Sequence, residues 1–405
     1  MDDFKYEQES VLSRNDYLLC GLLFLLGFNF RNMFYIIFLV FAFLSFLVYR
    51  KSCLKPNILI RLLILFSFSF AYLYAYTKMY GTNIVKIIVI TSFPIMYYLG
   101  YSTLVDGRKW KAPIISIVLG LTLHGVLNFL YNFRMLSGNT ARSTIDFWTH
   151  SEWIITGQIS LFIMIAGLSY YIFACVSFKE KPLVKTSLVI LWSIGMLYNV
   201  LTATRTVVYA AVLTSMICSI VHLVRFNKEQ KGVARYLVTV LFAILVIFFA
   251  YSIDFMGIKS WFMSTPLYTR TQVIGVLSQS DDILSRQGQA IAAFSQLLSH
   301  PNGGYTMAFS RNLKFIHNTW LNIAYFAGLV PCILFFLFSL GAFRDMTIIV
   351  KNGINNQDVV FIVGVYIAVF VYLVLEPVCE AVPSMITLFC YICGYVRNRS
   401  EVVGI

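Results

Sequence analysis

The residues whose types and spacing could do chemistry gather at a few breaks between apolar runs. His317 stands in His317-Asn318-Thr319-Trp320, directly before the apolar run 321–343. It occupies a helix N-terminus, where the positive end of the dipole favours a neutral ring. A neutral imidazole can take a proton from a hydroxyl; an interfacial histidine without a task fits the same place. Asn318 beside it could orient a substrate. Arg205 lies in the tight turn Thr202-Ala203-Thr204-Arg205-Thr206. Asn199, Thr202 and Thr206 recur at helical spacing and put a polar stripe beside it. The guanidinium fork suits two phosphate oxygens at once, whereas a snorkelling topology anchor is the plainer alternative.

Arg286 opens a segment whose apolar positions 290, 291, 294, 297 and 298 have a helical period, which predicts an amphipathic helix lying on a membrane. A solvated loop arginine is the alternative. His300-Pro301-Asn302-Gly303-Gly304 reads as a helix stop followed by a turn. Glu376 and Glu380 are four apart and share a helical face. They could bind a cation, act as a rival base or cap a turn. His150 and Glu152 sit in the aromatic-rich segment 148–153, which reads as an interface belt.

The elements that must position these residues are membrane helices. The chain has 405 residues, 59% hydrophobic and 12% charged, against about 25% charged in a soluble domain. Long apolar runs recur throughout, which excludes soluble folds and predicts an all-α, polytopic transmembrane bundle. Hydropathy places twelve spans, at 17–30, 33–49, 59–76, 83–104, 113–131, 152–178, 183–202, 206–224, 236–254, 318–343, 359–375 and 378–396. The first is short and could pair with the second as a re-entrant hairpin. The chain forms one integral membrane domain, 1–405, and the polar stretch 255–317 is a long loop between spans nine and ten.

Lysine and arginine counted over alternate loops divide 20 against 11, with five of the 11 in the long loop. The positive-inside rule then places both termini in the cytoplasm and the 255–317 loop outside. The same asymmetry accounts for the net charge of +13 without nucleic acid. Residues 1–16 read as a cytoplasmic tail. Cys390-x-x-Cys393 lies inside the last span with no second pair, so no metal site is expected there.

Thr204-Arg205-Thr206 at a span start resembles the Thr-Arg-[Ser/Thr/Ala] turn of the O-antigen ligase and O-antigen polymerase superfamily. Arg286 followed by an amphipathic helix and His300-Pro301-x-Gly is similar to that superfamily's external-loop pattern. His317-Asn318-x-x-Leu321, with Gly328 eleven residues after the histidine, resembles its signature at the following span. The resemblance covers roughly 201–396; the first half is similar only in hydropathy. The stretch from Gly304 to His317 is shorter than the family's usual excursion.

The resemblance implies a metal-independent, inverting glycosyltransferase of a bacterial cytoplasmic membrane, with no cofactor and its active site on the outer face. Its donor would be an undecaprenyl-diphosphate-linked glycan and its acceptor a glycan or lipid. Arg205 and Arg286 would bind the diphosphate and His317 would activate the acceptor hydroxyl. Asn318, Thr206 and Arg311 would be weaker substrate contacts. Polysaccharide-assembly proteins, a flippase and a chain-length regulator among them, would be partners. Polymerisation of repeat units and ligation of a finished glycan both fit. A lipid-linked oligosaccharide flippase is the rival of another class, disfavoured because polar groups collect at span ends rather than at midplanes.

Overall fold

The computed structural model describes residues 14–28, 57–77, 84–102, 111–133, 145–148, 150, 167–169, 182–202, 205–225, 245–265, 286–304, 316–352, 356–381 and 383–403, with single positions at 238, 241, 242 and 268. Every regular element among them is helical. The helices used below are α1 (Arg14–Phe28), α2 (Ile58–Thr77), α3 (Ile84–Thr91), α4 (Phe93–Ser102), α5 (Lys111–Asn132), α6 (Pro182–Leu201), α7 (Arg205–Arg225), α8 (Ile258–Ser264), α9 (Arg286–Leu297), α10 (Thr319–Ala327), α11 (Leu329–Asn352), α12 (Asn356–Leu375), α13 (Val378–Ala381) and α14 (Pro383–Val403).

Among the described residues, three helices are long and apolar enough to cross a membrane: Ile58–Tyr76, Ala112–Asn132 and Leu329–Asn352. A fourth crossing arises if Leu245–Ser252 and Phe255–Ser264, bent by 100°, count as one span. Most other expected spans that are described appear as shorter apolar helices, such as Thr206–His222 and Val359–Leu375, while 378–396 is shared by α13 and α14. The expected spans at 33–49 and 152–178 lie outside the described residues, apart from 167–169.

The outward faces are apolar. Leu65, Phe68, Tyr72 and Tyr76 of α2 and Tyr209, Val212 and Met216 of α7 are all exposed, as lipid-facing side chains are. α12 and α14 are instead apolar and buried along most of their length, which makes them the central helices. Small residues let the helices approach. A Cβ on Gly100 would overlap Tyr391 O, and one on Gly394 would overlap Tyr97 O, so α4 and α14 touch backbone to backbone. Gly27 and Gly120 play the same part between α1 and α5.

Contacts along each pair give the relative directions. α4 and α14 run parallel, with Gly100 against Tyr391 and Tyr101 Oη donating to Glu401 Oε2. α7 and α12 run antiparallel, with Thr206 at Glu376 and Cys218 at Val360. These directions agree with the alternation of basic loops. The end of the bundle opposite Glu376 is closed by Arg397, which bonds Asp345 at 3.0 Å and Glu401 at 2.8 Å.

One expected span is corrected. The run 318–343 is a helical hairpin folded at Gly328, not a single span. Trp320 Nε1 donates to Ser339 Oγ at 3.4 Å, and its ring lies 6.4 Å from that of Phe335. In one continuous helix residues 320 and 339 would stand roughly 28 Å apart. The fold-back has a local cause. Gly328 has φ 86° and ψ −173°, a conformation open essentially to glycine. The His300–Gly304 turn docks into the break, where Pro301 O accepts the Leu329 N–H at 2.7 Å. A Cβ on Gly328 would overlap Pro301 O, and one on Gly303 would overlap Ala324 O. α10, nine residues and about 13 Å long, cannot cross a bilayer. α11, at 24 residues and about 36 Å, can.

Candidate functional site

His317 therefore does not stand at the mouth of a span. It lies at the far end of α10 from the Gly328 fold, beside the end of α12. Two chain breaks meet there and stitch each other. Pro377 has no N–H to continue α12, so the helix ends at Leu375 and Glu376 follows with its own N–H still bonded to Tyr372 O. On the other side Asn318 is the N-cap of α10, its backbone extended and its Oδ1 accepting the Leu321 N–H at 3.0 Å. Its Nδ2 donates to Val374 O at 3.1 Å, so both polar atoms of this side chain hold the junction. Thr319 Oγ1 donates to Glu376 O at 2.8 Å. Asn322 Oδ1 accepts the Ile316 N–H at 2.9 Å and fixes the approach to His317.

The junction brings His317 Nδ1 to 3.1 Å from Glu376 Oε2. The carboxylate accepts the Nδ1–H, which selects that tautomer and puts the ring's lone pair on Nε2. Thr206 Oγ1 donates to the other oxygen, Glu376 Oε1, at 3.3 Å. The side chains of His317 and Glu376 are 25% and 17% exposed, open to a substrate yet partly desolvated. The carboxylate thereby fixes the orientation and the tautomer of the ring, both of which a general base needs held.

Arg205 is the first residue of α7, immediately before Thr206, and so joins the same junction through the backbone. Arg286 is the first residue of α9. That helix packs on α10, burying Gln289, Ala293 and Leu297 and leaving Ile291, Phe294 and Leu298 exposed on another face. The side chains of both arginines, and all of Arg311, lie outside the described residues. His300 is half-buried and bonds the neighbouring Ser299 Oγ at 3.0 Å. His150, at φ 50°, bonds Tyr131 Oη at 3.1 Å. Cys390 and Cys393 are buried and unbridged. Among the described residues no three metal-ligating side chains cluster.

The pairing of Glu376 with His317 has no signal in the sequence. The carboxylate is 59 residues away, and among the roles open to it orientation of the histidine was not one. A second pair without a sequence signal joins α5 to the 145–148 segment, where buried His124 Nε2 sits 3.0 Å from Asp146 Oδ1. Asn128 Oδ1 accepts the Phe147 N–H at 2.7 Å and Asn132 Oδ1 the Ile145 N–H at 2.7 Å, so this cluster ties the 145–148 segment to the helix.

No protein-family model matches this chain, and no curated protein matches it.

Proposed function

We propose that the protein is a membrane glycosyltransferase that extends a surface polysaccharide from a polyprenyl-diphosphate-linked glycan. The observation that carries the reading is the His317–Glu376 pair at 3.1 Å, set beside the helix start that begins with Arg205. An acceptor hydroxyl gives its proton to His317 Nε2 as its oxygen attacks the donor's anomeric carbon. The new C–O bond forms as the bond to the diphosphate oxygen breaks, and both electrons of that bond leave with the lipid diphosphate. Glu376 stabilises the imidazolium formed in the step. Arg205 and Arg286, each the first residue of a helix, would hold the diphosphate and offset the charge it gains on departure. Diphosphate is already a good leaving group, so positioning and charge stabilisation supply most of the acceleration.

The test gives purified full-length protein an undecaprenyl-diphosphate-linked repeat unit and measures donor binding and chain growth separately. His317→Ala should bind donor normally and lose about 10²–10⁴-fold in growth, the usual worth of a general base. Wild-type growth in that variant, or no growth from the wild type itself, sinks the reading. Growth only on a supplied lipid or core acceptor would turn polymerase into ligase.

The hairpin at Gly328 favours a second reading, since broken helices are a mark of transporters. A lipid-linked oligosaccharide flippase would move the donor across vesicles and form no glycosidic bond. The Arg397–Asp345–Glu401 cluster closing the opposite end of the bundle speaks for the enzyme.

A further inference from the structure

We infer that Thr206 is a positioning residue of the base, acting through Glu376 rather than on the substrate. The inference rests on the His317–Glu376 pair being the base of the proposed transfer. A carboxylate on a short side chain can rotate, and a histidine held by one oxygen inherits that rotation. Here the second oxygen is tied as well, because Thr206 Oγ1 donates to Glu376 Oε1 at 3.3 Å. The backbone of the same residue is pinned by Thr319 Oγ1 on its carbonyl at 2.8 Å. Glu376 is thus gripped from α7 on one side and from α10 on the other. Thr206 is itself buried at 8% exposure, so its hydroxyl exchanges little with water and the bond to the carboxylate is the use found for it.

The threonine's place in the chain gives the contact a further meaning. It follows Arg205 directly in the first turn of α7. Any shift of that turn when the arginine takes the donor diphosphate is passed to Glu376 by one hydroxyl. A distance of 3.3 Å is long for an O–H···O bond, whose usual value is about 2.7–2.8 Å. Catalytic hydrogen bonds of this kind tighten when substrate binds. Thr206 therefore ties assembly of the base to occupancy of the donor arm.

The chemistry predicts a direction. A hydroxyl donated to a carboxylate disperses its negative charge. Without it the carboxylate holds the imidazolium more strongly, and the proton taken by His317 is released less readily. Thr206→Val keeps the shape and removes the donor; Thr206→Ser keeps the donor and removes a methyl. Two measurements on full-length protein in nanodiscs separate the possibilities. The first is the pH midpoint for carbethoxylation of His317 by diethyl pyrocarbonate, which attacks the neutral ring, read by peptide mass spectrometry. The second is kcat and KM for chain growth on the lipid-linked repeat unit. Thr206→Val should move the midpoint to higher pH and lower kcat by about tenfold, the scale of one lost hydrogen bond, with the donor KM unchanged. Thr206→Ser should restore both.

An unmoved midpoint in Thr206→Val overturns the inference, and so does a serine variant that behaves like valine. A raised donor KM with kcat and midpoint unchanged overturns it too, placing Thr206 on the substrate. If the wild type builds no polymer, the glycosyltransferase reading falls while the carbethoxylation midpoint still reports on the Thr206–Glu376–His317 linkage.

Discussion

In the proposed transfer His317 is the base, and a base needs its ring held, its tautomer chosen and the charge it gains in the step offset; one carboxylate, Glu376, is placed to serve all three. Glu376 accepts the Nδ1–H at 3.1 Å and is close enough to stabilise the imidazolium. The amide of Glu376→Gln can still accept that N–H but carries no charge. The variant should keep the ring's orientation and lose the electrostatic part, so kcat should fall by about 10²-fold with donor binding intact. Steady-state kinetics beside a donor-binding titration check this. A Glu376→Gln enzyme at wild-type kcat would leave the carboxylate a mere turn cap.

Among the elements, the α10–α11 hairpin decides where that histidine stands. Its fold depends on a residue with no side chain at Gly328 and on the His300–Gly304 turn wedged against it. Gly328→Ala must adopt φ 86° with a Cβ driven into Pro301 O. Strain of that kind costs about 1–3 kcal/mol, and the turn has to back away. The variant should unfold at lower temperature in detergent and lose chain growth before it loses donor binding, because α10 and its histidine shift while α7 does not. Thermal unfolding followed alongside both activities reads this out; unchanged stability would mean that the turn is not the wedge. The same hairpin accounts for Asn318, whose side chain caps α10 and bonds α12. Its substitution should act on the junction as a whole.

For the whole molecule the question is sidedness. The contacts fix which ends lie together: His317, Glu376 and the start of α7 at one level, Arg397, Asp345 and Glu401 at the opposite end. The 20-to-11 division of basic residues leads us to expect the Arg397 end on the cytoplasmic side. Reporter fusions at Lys314 and Arg397 should therefore report opposite sides, Lys314 outside. A cytoplasmic Lys314 would put the candidate site on the side where no polymer is assembled in the proposed scheme. The hairpin leaves this expectation intact, since α10 is too short to cross and α11 is long and apolar enough to cross alone.

The amino-acid sequence by itself determined that the chain is helical and membrane-embedded, because lipid leaves backbone polar groups no partner except their own helix. It also singled out His317, through a polar group placed against an apolar run. It could not show that the run 318–343 is two legs. Hydropathy sums the solvent preference of side chains and is blind to chain direction, so a helix and a hairpin of the same residues score alike. Gly328 was visible eleven residues after His317, but its positive φ and the Pro301 carbonyl that occupies the break exist only once the loop has docked. Nor could it name the partner of His317. A carboxylate's pKa logic and its hydrogen bonds depend on distance, and the 59 residues between His317 and Glu376 close to 3.1 Å only through the packing of α10 on α12 and α13. The types of residue that could do chemistry were therefore legible early, whereas their grouping belonged to the tertiary fold, which alone sets the angstrom-scale separations on which proton transfer depends.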